Sequence, residues 1–182
     1  MTIRNFWSLT IDEALVANKL QDELKHHGYE VFFPLRSQLK DIDLILFNLK
    51  KGNTFTIQVK GSRGYPPAKK ETERYGDGES GWIQIKKKSI FEPENPISYF
   101  IFLIHIGTQS DTKRKIELYF IVIPTKKLRD ICSRKKESKN GVYNFFLWIN
   151  PKENKAHDYY DDSENPIILT GYLNNFDIFR KR

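Results

Sequence analysis

Cysteine is almost absent from this sequence: Cys132 stands alone, so neither an intramolecular disulfide nor a cysteine-rich zinc site can form. That usage fits a reducing compartment. Histidine is scarce as well, and His26, His27, His105 and His157 lack the spacing of a zinc site. Long apolar runs are missing. The longest, Tyr99 to Ile106, is broken by His105 and falls far short of the roughly 20 residues that span a bilayer. The opening stretch Met1 to Ser8 has no signal-peptide core, and no internal repeat is visible. A cytoplasmic protein with no membrane partner is expected.

What the sequence has in excess is positive charge. Thirty Lys and Arg against 23 Asp and Glu give +7 over 182 residues. Such a balance favours an anionic partner, with nucleic acid the commonest class, against the bland alternative of a basic protein with no such partner. The length fits one domain, 1–182, able to bury a real core.

The most informative stretch is Asp41 to Lys60. Two β-rich apolar runs, Leu44 to Phe47 and Thr54 to Val59, meet at a turn of Lys50, Lys51, Gly52 and Asn53, which predicts a hairpin. Antiparallel pairing sets the start of the first strand beside the end of the second. Asp43 therefore comes near Gln58 and Lys60. Asp43, the Gln58 amide oxygen and the Val59 carbonyl could give a hard cation three oxygen ligands, with Lys60 as a fixed positive charge. The competing structural readings are a strand-start carboxylate capping a turn and a strand end turning into solvent. Asp41, on the same face as Asp43, is an alternative ligand or a supporting partner.

Upstream, Leu15, Val16, Leu20 and Leu24 form an apolar stripe at helical spacing between Thr10 and Gly28. Glu13 lies on that stripe and should point at the sheet. Thr10 and Glu13 also spell a T-x-x-E capping box, and the two roles can coexist. Asp12 is expected to face elsewhere.

In this order, the helix Glu13, the hairpin Asp43 and the Gln58-Val59-Lys60 strand end resemble the active-site motif of the PD-(D/E)xK nuclease superfamily. The variant is the one with Gln at the first position of the (D/E)xK element. Asp-Leu-Ile-Leu and Ile-Gln-Val-Lys are similar to Mrr-type restriction endonucleases and the related Holliday-junction resolvases, although Ile42 stands where that family has Pro. The resemblance covers about residues 8–130, with 131–182 as a C-terminal extension. It implies an α/β (α+β) restriction-endonuclease-like fold, a central mixed β-sheet flanked by helices. It implies a Mg²⁺- or Mn²⁺-dependent endonuclease acting on DNA, with Glu13, Asp43, Gln58 and Lys60 catalytic and Glu13, Asp43, Gln58 and Val59 at the metal. A homodimer would suit cutting of both strands. The alternatives are a non-catalytic nucleic-acid-binding module on the same fold and a ribonuclease acting on structured RNA.

The rest of the chain reads more simply. Tyr29 to Pro34 is an expected strand. Residues 61–81, rich in Gly with Pro66 and Pro67, are expected to form a mobile loop, either a flap over DNA or a plain solvated one. Strands are expected at Trp82 to Ile85, Ser98 to Ile106, Ile116 to Ile123 and Val142 to Ile149. Thr125 should cap a short helix running to Cys132. The basic run Lys86-Lys87-Lys88 follows the Trp82 strand; the charge runs Arg134-Lys135-Lys136 and Arg180-Lys181-Arg182 are expected on solvated faces, where either could touch phosphate, with Asp158 to Glu164 an acidic loop.

Overall fold

Helix α1 (Ile11–Leu24) starts where its sequence says it should. The Thr10 hydroxyl accepts from the Glu13 N–H at 3.2 Å, and the Thr10 N–H donates back to the Glu13 carboxylate at 3.4 Å. Two donors that a helix N-terminus leaves open are thereby satisfied. A 3-10 turn over Lys25–His27 follows, and Gly28, at φ 81°, reverses the chain in a left-handed conformation that glycine adopts without steric cost. The computed structural model describes residues 10–34, 41–92, 94–110 and 113–180. The expected polar connection over 35–40, residues 111–112 of the expected hairpin tip and Lys181–Arg182 lie outside the described residues.

Strands β1 (Tyr29–Phe32), β2 (Leu44–Asn48) and β3 (Thr54–Arg63) form an antiparallel meander. The β2–β3 turn is fixed by Asn48, whose side-chain oxygen accepts from the N–H groups of Lys50 and Lys51 at 2.9 and 2.8 Å. Helix α2 (Lys69–Tyr75), strand β4 (Glu79–Lys86) and helix α3 (Lys88–Phe91) then lead to β5 (Tyr99–Ser110) and its hairpin partner β6 (Lys113–Pro124). Helix α4 (Thr125–Cys132), β7 (Val142–Asn150), β8 (Lys155–Asp158) and β9 (Ile167–Ile168) complete the regular elements. A mixed sheet in the order β1-β2-β3-β5-β6 forms, with β3 and β5 parallel, beside a second sheet in the order β4-β7-β8-β9. The fold is thus α/β with a central mixed sheet, as the sequence predicts.

Alternation along the central strands explains the layering. Ile57, Val59, Ile101 and Leu103 point to one face, where they pack on Val16, Leu20 and Leu24 of α1. Phe100, Phe102 and Ile104 point to the other, against Ile83, Ile85, Phe145 and Leu147 of the second sheet. A strand covered on both faces needs apolar residues at every position, which is why Tyr99 to Ile104 reads as one continuous run.

Several expectations change. Residues 61–81 are not one long loop: β3 continues to Arg63, α2 follows, and β4 begins at Glu79. Tyr65 and Ser80 exchange backbone hydrogen bonds at 2.7 and 2.8 Å, and the Trp82 N–H donates to the Ser62 hydroxyl at 3.0 Å. The glycines here mark close approaches: a Cβ on Gly78 would lie 2.5 Å from the Trp148 indole. Pro124, not Thr125, is the N-cap of α4, and the Thr125 hydroxyl is buried with no hydrogen-bond partner among the described residues. The β5–β6 hairpin is longer than expected, paired from Tyr99↔Pro124 out to Ser110↔Lys113. Strand β7 pairs with β4 from Val142 to Ile149, so Phe145, Leu147 and Ile149 are part of the core.

The basic run at 134–136 is the largest departure. Lys135 is not solvated: its Nζ lies 2.5 Å from the Asp158 carboxylate, 2.7 Å from Asp161 and 4.6 Å from the centre of the Phe145 ring. Asp158 is not in a loop either. It ends β8, buried, and accepts from the N–H groups of Phe146 and Tyr160. Removing one member of a buried ion cluster leaves uncompensated charge in a poor solvent for it. Lys135→Met should therefore lower the unfolding free energy by about 3–5 kcal/mol, read by urea denaturation.

Candidate active site

The site grows from the point where the β2–β3 ladder stops. Regular pairing runs from Phe47↔Thr54 to Leu44↔Ile57. One residue earlier, the Asp43 N–H donates to the Ile57 carbonyl at 2.9 Å, and its carboxylate accepts from the Val59 N–H at 2.8 Å. The side chain thus replaces the backbone acceptor that a continuing strand would have supplied. Within an extended strand a residue's N–H and C=O point to the same side. The Val59 carbonyl is accordingly directed at the same junction.

Gln58 sits beside this pair and is 3% exposed. Its amide N–H donates to the Asp41 carboxylate at 3.3 Å. An ionised carboxylate only accepts, so the contact fixes which way the amide faces. Its oxygen, Oε1, is then buried with no hydrogen-bond partner among the described residues. Buried polar atoms are nearly always paired, and an orphan of this kind marks either a cost or a use. Asp41 holds its place at φ 67°, a left-handed conformation that the short polar Asp side chain tolerates.

Lys60, half-buried, lies two residues beyond Gln58 and so on the same face of β3. Ile57 and Val59 pack on the α1 layer, so Gln58 and Lys60 face the other way, as does Ser62 where it meets β4. Glu13 is buried on α1 at 6% exposure, with its carboxylate in the capping box. Among the expected site residues, then, Asp43, Gln58 and Val59 come together, with Asp41 bonded to Gln58 and Lys60 next on the strand. Glu13 stands on the opposite layer, in the orientation towards the sheet expected from its place on the apolar stripe, and its cap is intact.

These groups fit a hard divalent cation. The donors are the Asp43 carboxylate, the Val59 carbonyl and the otherwise unpaired Gln58 oxygen, all of the type Mg²⁺ or Mn²⁺ takes. Among the described residues no three His, Cys, Asp or Glu side chains are grouped to hold a metal ion. The donor set is therefore mixed, with an amide and a backbone oxygen beside the carboxylate. Cys132 offers no alternative nucleophile, since it is buried and its thiol is pushed up to about 12 by burial.

One pair was not legible from spacing. Asp12, expected to face away, lies with its carboxylate 2.7 Å from the His105 Nε2. The pair borders a cleft of about 680 Å³, also lined by Gly61, Arg63 and Gly64. The available signal was His105 itself, the one polar break in an apolar strand, at a position whose neighbours Ile101 and Leu103 face α1.

Compared with known proteins, the chain matches no family model and no curated relative.

Gly61, next to Lys60, leaves room for the Asp12 side chain of α1: a Cβ there would lie 1.8 Å from the Asp12 carboxylate. Gly61→Ala should displace Asp12 from His105 and cost about 1–3 kcal/mol of stability, measured by urea denaturation. Asp12→Ala in the same chain should return part of that loss. If the two substitutions add independently, the steric account is wrong.

Proposed function

We propose that this chain is a metal-dependent endonuclease that hydrolyses phosphodiester bonds in DNA. The observation that carries the reading is the buried, unpaired Gln58 oxygen beside an Asp43 carboxylate fixed by the Val59 N–H. Asp43, Gln58 and the Val59 carbonyl would hold Mg²⁺ or Mn²⁺; Glu13, on the opposite layer with its carboxylate in the α1 capping box, is left out of this ligand set. Such an ion, when bound, makes a water more acidic and neutralises phosphate charge.

The chain's own groups would do the rest. Asp43 arrives with its orientation already set by a backbone hydrogen bond, so little ordering is left for the moment of reaction. Lys60 supplies a fixed cation for the phosphate oxygens as charge builds on them and orients the attacking water. The basic run Lys86-Lys87-Lys88 would contact phosphates, giving affinity without sequence readout. A homodimer would bring two such sites to the two strands of a duplex. The localisation proposed is the cytoplasm; no helix among the described residues is long and apolar enough to cross a membrane.

The neutrality of Gln58 favours one second reading, a nucleic-acid-binding module that keeps the fold without cutting. An amide in place of a carboxylate leaves the site one negative charge short, and so a weaker metal site. Plasmid DNA and structured RNA, incubated with Mg²⁺, Mn²⁺ or EDTA, separate the readings. Nicks that need metal and fall on the order of 10²–10³-fold in both Asp43→Ala and Lys60→Ala support hydrolysis. DNA binding with no cuts under either metal supports the module, and cuts in RNA alone would move the substrate. Gln58→Glu restores the missing charge and should tighten Mn²⁺ binding about tenfold by calorimetry.

A further inference from the structure

The solvent face of the second sheet is unusual in what it leaves open. Alternation turns Ile83, Ile85, Phe145 and Leu147 inward, and Trp82, Gln84, Asn144 and Phe146 outward. Trp82 and Phe146 are directly opposed in register, as are Gln84 and Asn144. Trp82 is 47% exposed, Phe146 36% and Tyr160 40%. Their rings touch in sequence: Trp82 meets Phe146 edge-on at 6.2 Å between centroids, and Phe146 meets Tyr160 edge-on at 5.0 Å. Burying even part of such rings is favourable, so leaving three uncovered side by side calls for a partner.

The rings are also held in place. Asn144, buried, accepts through its side-chain oxygen from the Trp82 indole N–H at 3.3 Å and the Gln84 amide at 2.8 Å. Its own amide donates to the Tyr160 hydroxyl at 3.4 Å. One buried side chain thus fixes three surface ones, and preorganised contacts lose less entropy when they bind.

We propose that this face is a stacking platform for unpaired nucleotides. Flat rings bordered by amides match the π-faces and polar edges of bases. Charge is complementary: Lys86 is exposed at the end of β4 on the face of Trp82 and Gln84, in a chain of net charge +7. On the other side Lys135, whose Nζ lies 5.5 Å from the Tyr160 ring centre, balances one of the two carboxylates of Asp158 and Asp161, so the positive end of the platform is the one at Lys86. Strand β4, which carries Trp82, runs beside the strand of the candidate active site, since the Trp82 backbone N–H bonds Ser62, two residues past Lys60. The platform shares with the proposed function only the premise of a nucleic-acid partner, and adds that the bound strand is unpaired where it crosses β4 and β7.

The test measures binding of an oligothymidylate of about 20 nucleotides by fluorescence anisotropy, in EDTA so that nothing is cut, beside a blunt duplex control. Trp82→Ala and Phe146→Ala should each weaken oligothymidylate binding about tenfold and leave duplex binding unchanged. Trp82→Phe should retain the affinity, because the ring remains. Lys86→Ala should flatten the salt dependence by about 0.7 in log–log slope. Wild-type affinity in both alanine variants, with unchanged circular dichroism, overturns the proposal. So does a wild-type dimer that Trp82→Ala dissociates in sedimentation, since the face would then join copies of this chain. Stacking without metal-dependent cutting removes the nuclease reading alone, and cutting with no effect of the ring substitutions removes this one alone.

Discussion

The rest of the molecule follows from the need to cover β5 on both faces. Its side chains from Tyr99 to Ile104 are at most 1% exposed, which no single helix layer could achieve. Helix α1 closes one side and the second sheet closes the other. Hydrophobic burial sets this arrangement, and the polar sites take the positions it leaves over. Strand β3, next to β5 and parallel to it, is buried through Val59 and then emerges, so its exit is where charge and water can first reach the sheet.

At that exit the residues that close the strand pair are also the ones proposed for the chemistry. Asp43 ends a hydrogen-bond ladder, Gln58 is locked by Asp41, and the Val59 backbone faces the gap. On the function proposed, a side chain that must hold its place for the fold would also be a ligand held ready. The unsatisfied Gln58 oxygen is the opposite case, since it stabilises nothing that the chain itself provides. The candidate site can thus be told from a merely structural strand end by an imbalance in hydrogen bonding, and not by acidity alone.

The legible parts of the sequence were the local ones. The α1 stripe with its Thr10–Glu13 box, the Lys50–Asn53 turn and the apolar run of β5 each report their structure within about a dozen residues. What stayed hidden depends on partners far along the chain. Lys135 looks like surface until Asp158 and Asp161 meet it, and Asp12 looks idle until β5 brings His105 across. The glycines of 61–81 suggested looseness because their effect, letting Trp148 and Asp12 come close, is invisible without the other side of the contact. Hairpin geometry was enough to bring Asp43 beside Gln58, but only the fold shows that α1 approaches from the opposite layer.

The order of synthesis gives the second sheet a further meaning. Strand β4 leaves the ribosome between β3 and β5, but its pairing partner β7 does not appear until residues 142–150. Throughout that interval Ile83 and Ile85 flank an open edge, the arrangement most prone to pairing with a neighbouring nascent chain. Folding of the early half is therefore hostage to the late half, and a truncation before β7 would release a sticky intermediate, not a smaller working protein.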